Sequence, residues 1–184
     1  MLDNATQKKL SFQKFLPILN TSNLKKDIKR LEKLISKHEN VECVEITLRN
    51  EDSFDIAIEI KKEFPNLLFG LGTVLDKKNY LRGSKEGFSF FVSPCIIEEL
   101  LNLNPKNYIP AGETISDFIY LKKKGYEIVK FFPASLMGGD KNLISIQNII
   151  KDLKFIPTGG INNNNISSYL NLENVLCVGM SKFD

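Results

Sequence analysis

The chain has 184 residues, enough for one domain with a sizeable core and short for two. Its composition, 42% hydrophobic and 26% charged, is that of a globular protein and excludes a disordered chain. The net charge of +3 arises from 25 basic and 22 acidic residues without a dense basic block, which argues against a nucleic-acid binder.

The opening "MLDNATQKKLSFQK" lacks the apolar stretch of a signal peptide, and no segment reaches the roughly 18 apolar residues of a membrane span. A cytoplasmic protein with no membrane association is expected. Short apolar, strand-like runs then recur about every 20–27 residues, the length of a βα unit. In chain order they are "FLPIL" (15–19), "VECVEIT" (41–47), "LLFGLGT" (67–73), "FSFFVSP" (88–94), "YIPAG" (108–112), "IVKFFP" (128–133), "FIPTGG" (155–160) and "VLCVGMS" (175–181). Most are nearly continuous in apolar character, as parallel strands covered on both faces should be.

Helical patterns separate the runs. After the first, Leu24, Ile28, Leu31 and Ile35 share one face, with Lys, Arg and Glu opposite. "TISDFIYLKKKG" opens with Thr114 and Asp117 at capping-box spacing and ends at Gly125. "DKNLISIQNII" offers Asp140 as N-cap and Leu143, Ile146 and Ile150 as a buried face. Weaker helices are read over 52–62, 76–83, 95–103 and 163–170, and the "NNNN" of 162–165 reads as a helix-capping turn. Eight strands alternating with helices, with no dinucleotide-binding G-x-G-x-x-G, predict a compact (β/α)8 TIM barrel spanning 1–184 as a single domain. The barrel is expected to lack a closing helix after the eighth strand, and segment 5–14 or a neighbouring subunit is a candidate to cover part of the surface such a helix would occupy.

Cys43, Cys95 and Cys177 lack C-x-x-C spacing and read as buried small hydrophobes. The single histidine, His38, lies in polar "SKHEN" and reads as solvated, which removes a Ser-His-Asp triad and a histidine-built metal site. Chemistry must rest on Lys, Glu, Arg, Thr and backbone groups. In a barrel it gathers at the C-terminal ends of the strands. There, strand two carries Glu45, Thr47 and Arg49 on one side by period-two alternation, strand three ends at Thr73, strand four at Ser93 and Pro94, and strand six holds Lys130.

A lysine in an apolar strand has two readings. Facing inward, it is desolvated, which favours the neutral amine that imine formation with a ketone requires. Otherwise it points outward and snorkels to the surface, or is simply paired with a carboxylate such as Glu45. "PTGGI" (157–161) and "VGMS" (178–181) end the last two strands, where this fold often binds phosphate through backbone N–H groups; each is also compatible with an ordinary turn.

Taken together, "VEITLRN", "GLGTVLD", "FFVSPC", "VKFFPASLMGG", "FIPTGGINNNNISSYL" and "VLCVGMS" resemble the 2-keto-3-deoxy-6-phosphogluconate (KDPG) and 4-hydroxy-2-oxoglutarate (KHG) aldolase family, class I pyruvate aldolases, from about Phe15 to Ser181. The resemblance implies Lys130 as the Schiff-base lysine and Glu45 as general acid/base. It also implies Arg49 and Thr73 near the pyruvate carboxylate, Pro94 and Phe132 lining the pocket, Thr158 touching substrate, and Gly159, Gly160, Gly179 and Ser181 binding phosphate. It implies cleavage of KDPG to pyruvate and glyceraldehyde 3-phosphate, and of KHG to pyruvate and glyoxylate, without metal or organic cofactor. Its further implications are a small keto-acid phosphate as the partner molecule and a homo-oligomer, a trimer. The alternative reading is a catalytically weak or inactive barrel that binds an anion or a partner. Two local departures bear on the site. "IPAGETIS" differs from the family's Pro-Gly-Val-x-Thr-Pro, and Met180 interrupts its usual Gly-Gly-Ser, so that its side chain either crowds the phosphate turn or points away.

Overall fold

The computed structural model describes residues 2–183. A first helix, α1 (Asn4–Gln13), precedes the strands, and the chain then runs β1 (Phe15–Asn20), α2 (Leu24–Lys37), β2 (Cys43–Thr47), α3 (Ser53–Glu63), β3 (Leu68–Gly72), α4 (Lys77–Lys85), β4 (Phe90–Val92) and α5 (Glu98–Leu103). It continues through β5 (Tyr108–Ile109), β6 (Ala111–Gly112), α6 (Ile115–Lys123), β7 (Ile128–Phe131), α7 (Gly139–Ile149), β8 (Lys154–Pro157), α8 (Ile166–Leu170) and β9 (Val178–Met180). Every strand pairing is parallel. No described helix is long and apolar enough to cross a membrane.

The strands form a six-stranded sheet, ordered β5-β4-β3-β2-β1-β9, and a three-stranded sheet, β6-β7-β8, not one continuous eight-stranded ladder. The split falls at Pro110, inside the run read as a single fifth strand. Proline has no N–H to donate, so the ladder breaks there, although its carbonyl still accepts from the Lys130 N–H at 2.9 Å. Parallel bridges Phe155–Val175 and Thr158–Gly179 link the smaller sheet to the β9 region.

Period-two alternation sorts the strand residues onto two faces. Leu16, Cys43, Phe90, Val92, Ile109, Ile128, Ile156 and Cys177 form one cluster, joined by Leu2 and Leu10 from the N-terminal segment. Their neighbours along the strands, among them Leu19, Val44, Ile46, Phe69, Leu71, Val129, Phe131, Phe155 and Val178, form the larger cluster with the helices. Cys43 and Cys177 are buried small hydrophobes, and burial pushes the Cys43 thiol up to about 12 and that of Cys177 higher still. Cys95 departs from its sequence reading. It is exposed, because β4 ends at Val92 and Cys95 lies in the following loop.

The structure adds a helix that the sequence did not announce and corrects two further readings. Helix α1 carries no clear apolar period. Its start is set by Asp3, whose carboxylate accepts from the Ala5 and Thr6 N–H groups, and its end by Lys14 in the left-handed region at φ 63°. Asp140 lies in the first turn of α7, while the cap position is Gly138 at φ 88°. His38 is half-buried, its ring edge-on to Phe15 at 5.1 Å. The Thr114–Asp117 capping box forms as read.

Helix α1 packs on β1 and β2. Its buried Gln13 donates to the carbonyls of Phe15 (2.8 Å) and Cys43 (3.0 Å) and accepts from the N–H groups of Glu42 (3.1 Å) and Cys43 (2.8 Å). Gln13→Ala strips partners from buried backbone groups, so urea unfolding should show a loss of about 1–3 kcal/mol with an unchanged m-value. A loss below about 0.5 kcal/mol would mean that water replaces the amide.

Candidate active site

β2 and β7 bring the two central groups together. On β2, Ile18 of β1 faces Glu45 in register and Asn20 faces Thr47, so Glu45 lies on the same side as Thr47 and Arg49. On β7, Lys130 follows Ile128 on the inner face, whereas Val129 and Phe131 point to the helices. The inward reading of Lys130 therefore holds, and so does its pairing with Glu45. Lys130 is 6% and Glu45 1% exposed, with Nζ 3.5 Å from Oε1. That separation is long for a charge-assisted hydrogen bond, and it leaves the amine lightly held. The Lys130 Nζ also stands 5.2 Å from the centre of the Phe132 ring.

Glu45 can point inward only because Gly72 of β3, two residues beyond its register partner Gly70, has no side chain; a Cβ there would collide with the carboxylate. After Gly72 the chain turns at Thr73, a β-branched residue in the left-handed region at φ 59°. Such a conformation costs about 1–3 kcal/mol and persists where its surroundings impose it.

Ile18, Asn20, Glu45, Thr47, Arg49, Lys130, Phe132, Thr158, Gly159, Gly160, Ile161, Gly179 and Ser181 line one cavity of about 270 Å³. Ten of the residues singled out in the sequence are among them: Glu45, Thr47, Arg49, Lys130, Phe132, Thr158, Gly159, Gly160, Gly179 and Ser181. Pro94 lines a neighbouring cavity of about 410 Å³ with Cys95, Glu113 and Asp117, and Phe132 forms a wall of both. Thr73 lines neither and is half-buried. Asn20 was missed by sequence reasoning, and its signal is a polar residue closing an apolar strand.

The exposed guanidinium of Arg49 has no ion-pair partner among the described residues and provides positive charge at the rim. In the same cavity wall, Gly159 (φ 98°) and Gly160 (φ 76°) take consecutive left-handed conformations, which glycine adopts without strain and which bring bare backbone to the cavity. The Asn165 side chain fastens this turn by donating to the Gly160 carbonyl at 3.0 Å. At Gly179 a side chain would strike the Thr158 hydroxyl. Met180 is buried in the helix-side cluster and absent from the cavity wall, so it points away from the turn. The arrangement thus offers a buried amine, a carboxylate beside it, an exposed guanidinium and a glycine-built turn.

The comparisons with known proteins agree with that chemistry. A family model described as KDPG and KHG aldolase matches residues 6–184. The chain is 35% identical over 140 residues to the 2-dehydro-3-deoxy-phosphogluconate aldolase of Pseudomonas aeruginosa, a match covering 74% of this chain and 64% of that one. It is 33% identical over 169 residues to the KHG/KDPG aldolase of Escherichia coli, covering 90% and 78%. Its structure superposes with a TM-score of 0.88, at 30% identity, on KDPG aldolase from Legionella pneumophila with pyruvate captured at low pH as a covalent carbinolamine intermediate, covering 95% of this chain and 85% of that one. With the family match spanning nearly all of its length, the chain belongs to the KDPG and KHG aldolase family.

Proposed function

We propose that the protein is a class I aldolase that cleaves KDPG to pyruvate and glyceraldehyde 3-phosphate through an imine on Lys130. The observation that carries this reading is the buried Lys130–Glu45 pair, 3.5 Å apart and open to a cavity that Arg49 also lines. The neutral Lys130 amine adds to the C2 ketone, and the carbinolamine loses water to give a protonated imine. Glu45 takes the proton of the C4 hydroxyl as the C3–C4 electrons flow into the imine, leaving an enamine on Lys130 and releasing the aldehyde. Protonation of the enamine at C3 and hydrolysis then return pyruvate and the free lysine. Arg49 holds the substrate carboxylate through charge-assisted hydrogen bonds. Phe132 walls the pyruvate end, with Pro94 on its other side in the neighbouring cavity, and Thr158 touches the substrate.

Gly159, Gly160, Gly179 and Ser181 receive the phosphate. Met180, turned into the helix-side core, leaves that turn open. KHG, which yields glyoxylate, is the second substrate. The turn also sets the test. The kcat/KM for KDPG should exceed that for the unphosphorylated 2-keto-3-deoxy acid by about 10²-fold or more, as two charge-assisted contacts would give. Equal values would remove the phosphate from the reading.

In this proposal the two sheets work as one eight-fold barrel domain, with the bridge Thr158–Gly179 joining them at the site. The protein is cytoplasmic and a homo-oligomer, a trimer. The exposed Ile115 and Ile119, one turn apart on α6, and Leu136, 83% exposed, support the association because they offer apolar surface to a second copy.

A further inference from the structure

We propose that Asn20 is a specificity-determining residue that recognises the C5 hydroxyl of the substrate, the hydroxyl next to the carbonyl carbon of the departing triose phosphate. The proposal rests on the reading of the cavity as an aldolase site. Asn20 ends β1 and lines the same cavity as Lys130 and Glu45. Its Oδ1 accepts from the Thr47 hydroxyl at 2.9 Å, the shorter of two contacts that share that hydroxyl's single proton, the other being to the Leu19 carbonyl at 3.2 Å. That leaves the Asn20 side-chain NH2 without a hydrogen-bond partner among the described residues, held in place by its other end.

Register fixes the height of this group. Ile18 faces Glu45, and Asn20 faces Thr47 two residues further along, about 6–7 Å closer to the mouth. With Glu45 at the C4 hydroxyl and the imine below it, the next polar group of the substrate toward the mouth is the C5 hydroxyl. A hydroxyl accepts from an amide N–H and can also donate to an amide oxygen, so this pairing suits either orientation of the carboxamide. The charged groups of the cavity are already committed: Arg49 serves the carboxylate and the glycine turns the phosphate. Asn20 is the neutral group beside them, suited to a neutral hydroxyl.

The test runs the reaction in the direction of synthesis, with pyruvate and two aldehydes. These are glyceraldehyde 3-phosphate and 3-oxopropyl phosphate, which differ only in that hydroxyl. The unsubstituted protein should prefer the hydroxylated aldehyde by about 3- to 10-fold in kcat/KM, the range of a single neutral hydrogen bond made by an exposed amide. Asn20→Leu and Asn20→Ala should bring that preference to within about twofold of unity. Thr47→Val, which frees the carboxamide to rotate, should lower the preference by a smaller factor. An undiminished preference in both Asn20 variants, or no preference in the unsubstituted protein, overturns the assignment and leaves Asn20 as a bond between β1 and β2. Failure of the underlying aldolase reading shows itself separately, as absence of any borohydride-trapped pyruvate in the unsubstituted protein.

Discussion

Lys130→Arg is expected to abolish aldol cleavage, with kcat falling by about 10⁴-fold or more, while the protein stays folded. A guanidinium keeps the positive charge beside Glu45 but cannot act as a nucleophile toward a ketone. The choice of arginine matters because Lys130→Ala would change two things together. It would remove the amine, and it would leave Glu45, only 1% exposed, without its cation. Breaking a buried pair by removing one partner destabilises by about 3–5 kcal/mol, so an inactive alanine variant could be inactive through unfolding. Measured together, the arginine variant should be inactive with an almost unchanged urea midpoint, and the alanine variant inactive with a lowered one. Cleavage by Lys130→Arg within tenfold of the unsubstituted protein would mean that the nucleophile lies elsewhere.

The second large effect is expected at Glu45. Glu45→Gln preserves the volume that Gly72 makes available and can still accept from Lys130, yet it cannot take a proton from the C4 hydroxyl. A kcat loss of about 10²–10⁴-fold follows, the usual contribution of a positioned general acid/base. The two variants differ in what survives. Glu45→Gln retains the nucleophile, so prolonged incubation with pyruvate and borohydride should still label it, whereas Lys130→Arg should never label. A Glu45→Gln variant that cleaves at more than a tenth of the original rate would assign proton transfer to another group, with the nearby Thr47 hydroxyl as the first to examine.

Much of this site can be read from the strands because parallel strands covered on both faces announce themselves as apolar runs, and a polar residue within one stands out. Lys130 in "IVKFF" and Glu45 in "VECVEIT" are conspicuous for that reason, and alternation along β2 correctly groups Glu45, Thr47 and Arg49. The same alternation decides the side of Met180, since Gly179 and Ser181 face the cavity and the residue between them must face the helices. Period-two reasoning ends where the strands end. Thr73 and Pro94 follow the last paired residues of β3 and β4, and the turns that follow, not the sheet pleat, set their direction.

Helix α1 was illegible for a different reason. Its buried positions include Thr6 and Gln13, polar groups satisfied by specific hydrogen bonds that hydrophobic periodicity does not register. The division of the fifth strand into β5 and β6 was visible as Pro110, but a proline inside an apolar run does not reveal whether neighbouring strands close around it. Gly72 shows the same limit from the other side. Its lack of a side chain is plain in the sequence, while the carboxylate that needs the space lies on another strand.

The most direct test of the central claim is borohydride reduction of the protein in the presence of pyruvate, followed by intact-mass measurement and peptide mapping. The account predicts one reduced pyruvyl adduct per chain, on Lys130, and none in Lys130→Arg. No adduct on folded protein, or an adduct on a different lysine, would contradict imine chemistry at this site.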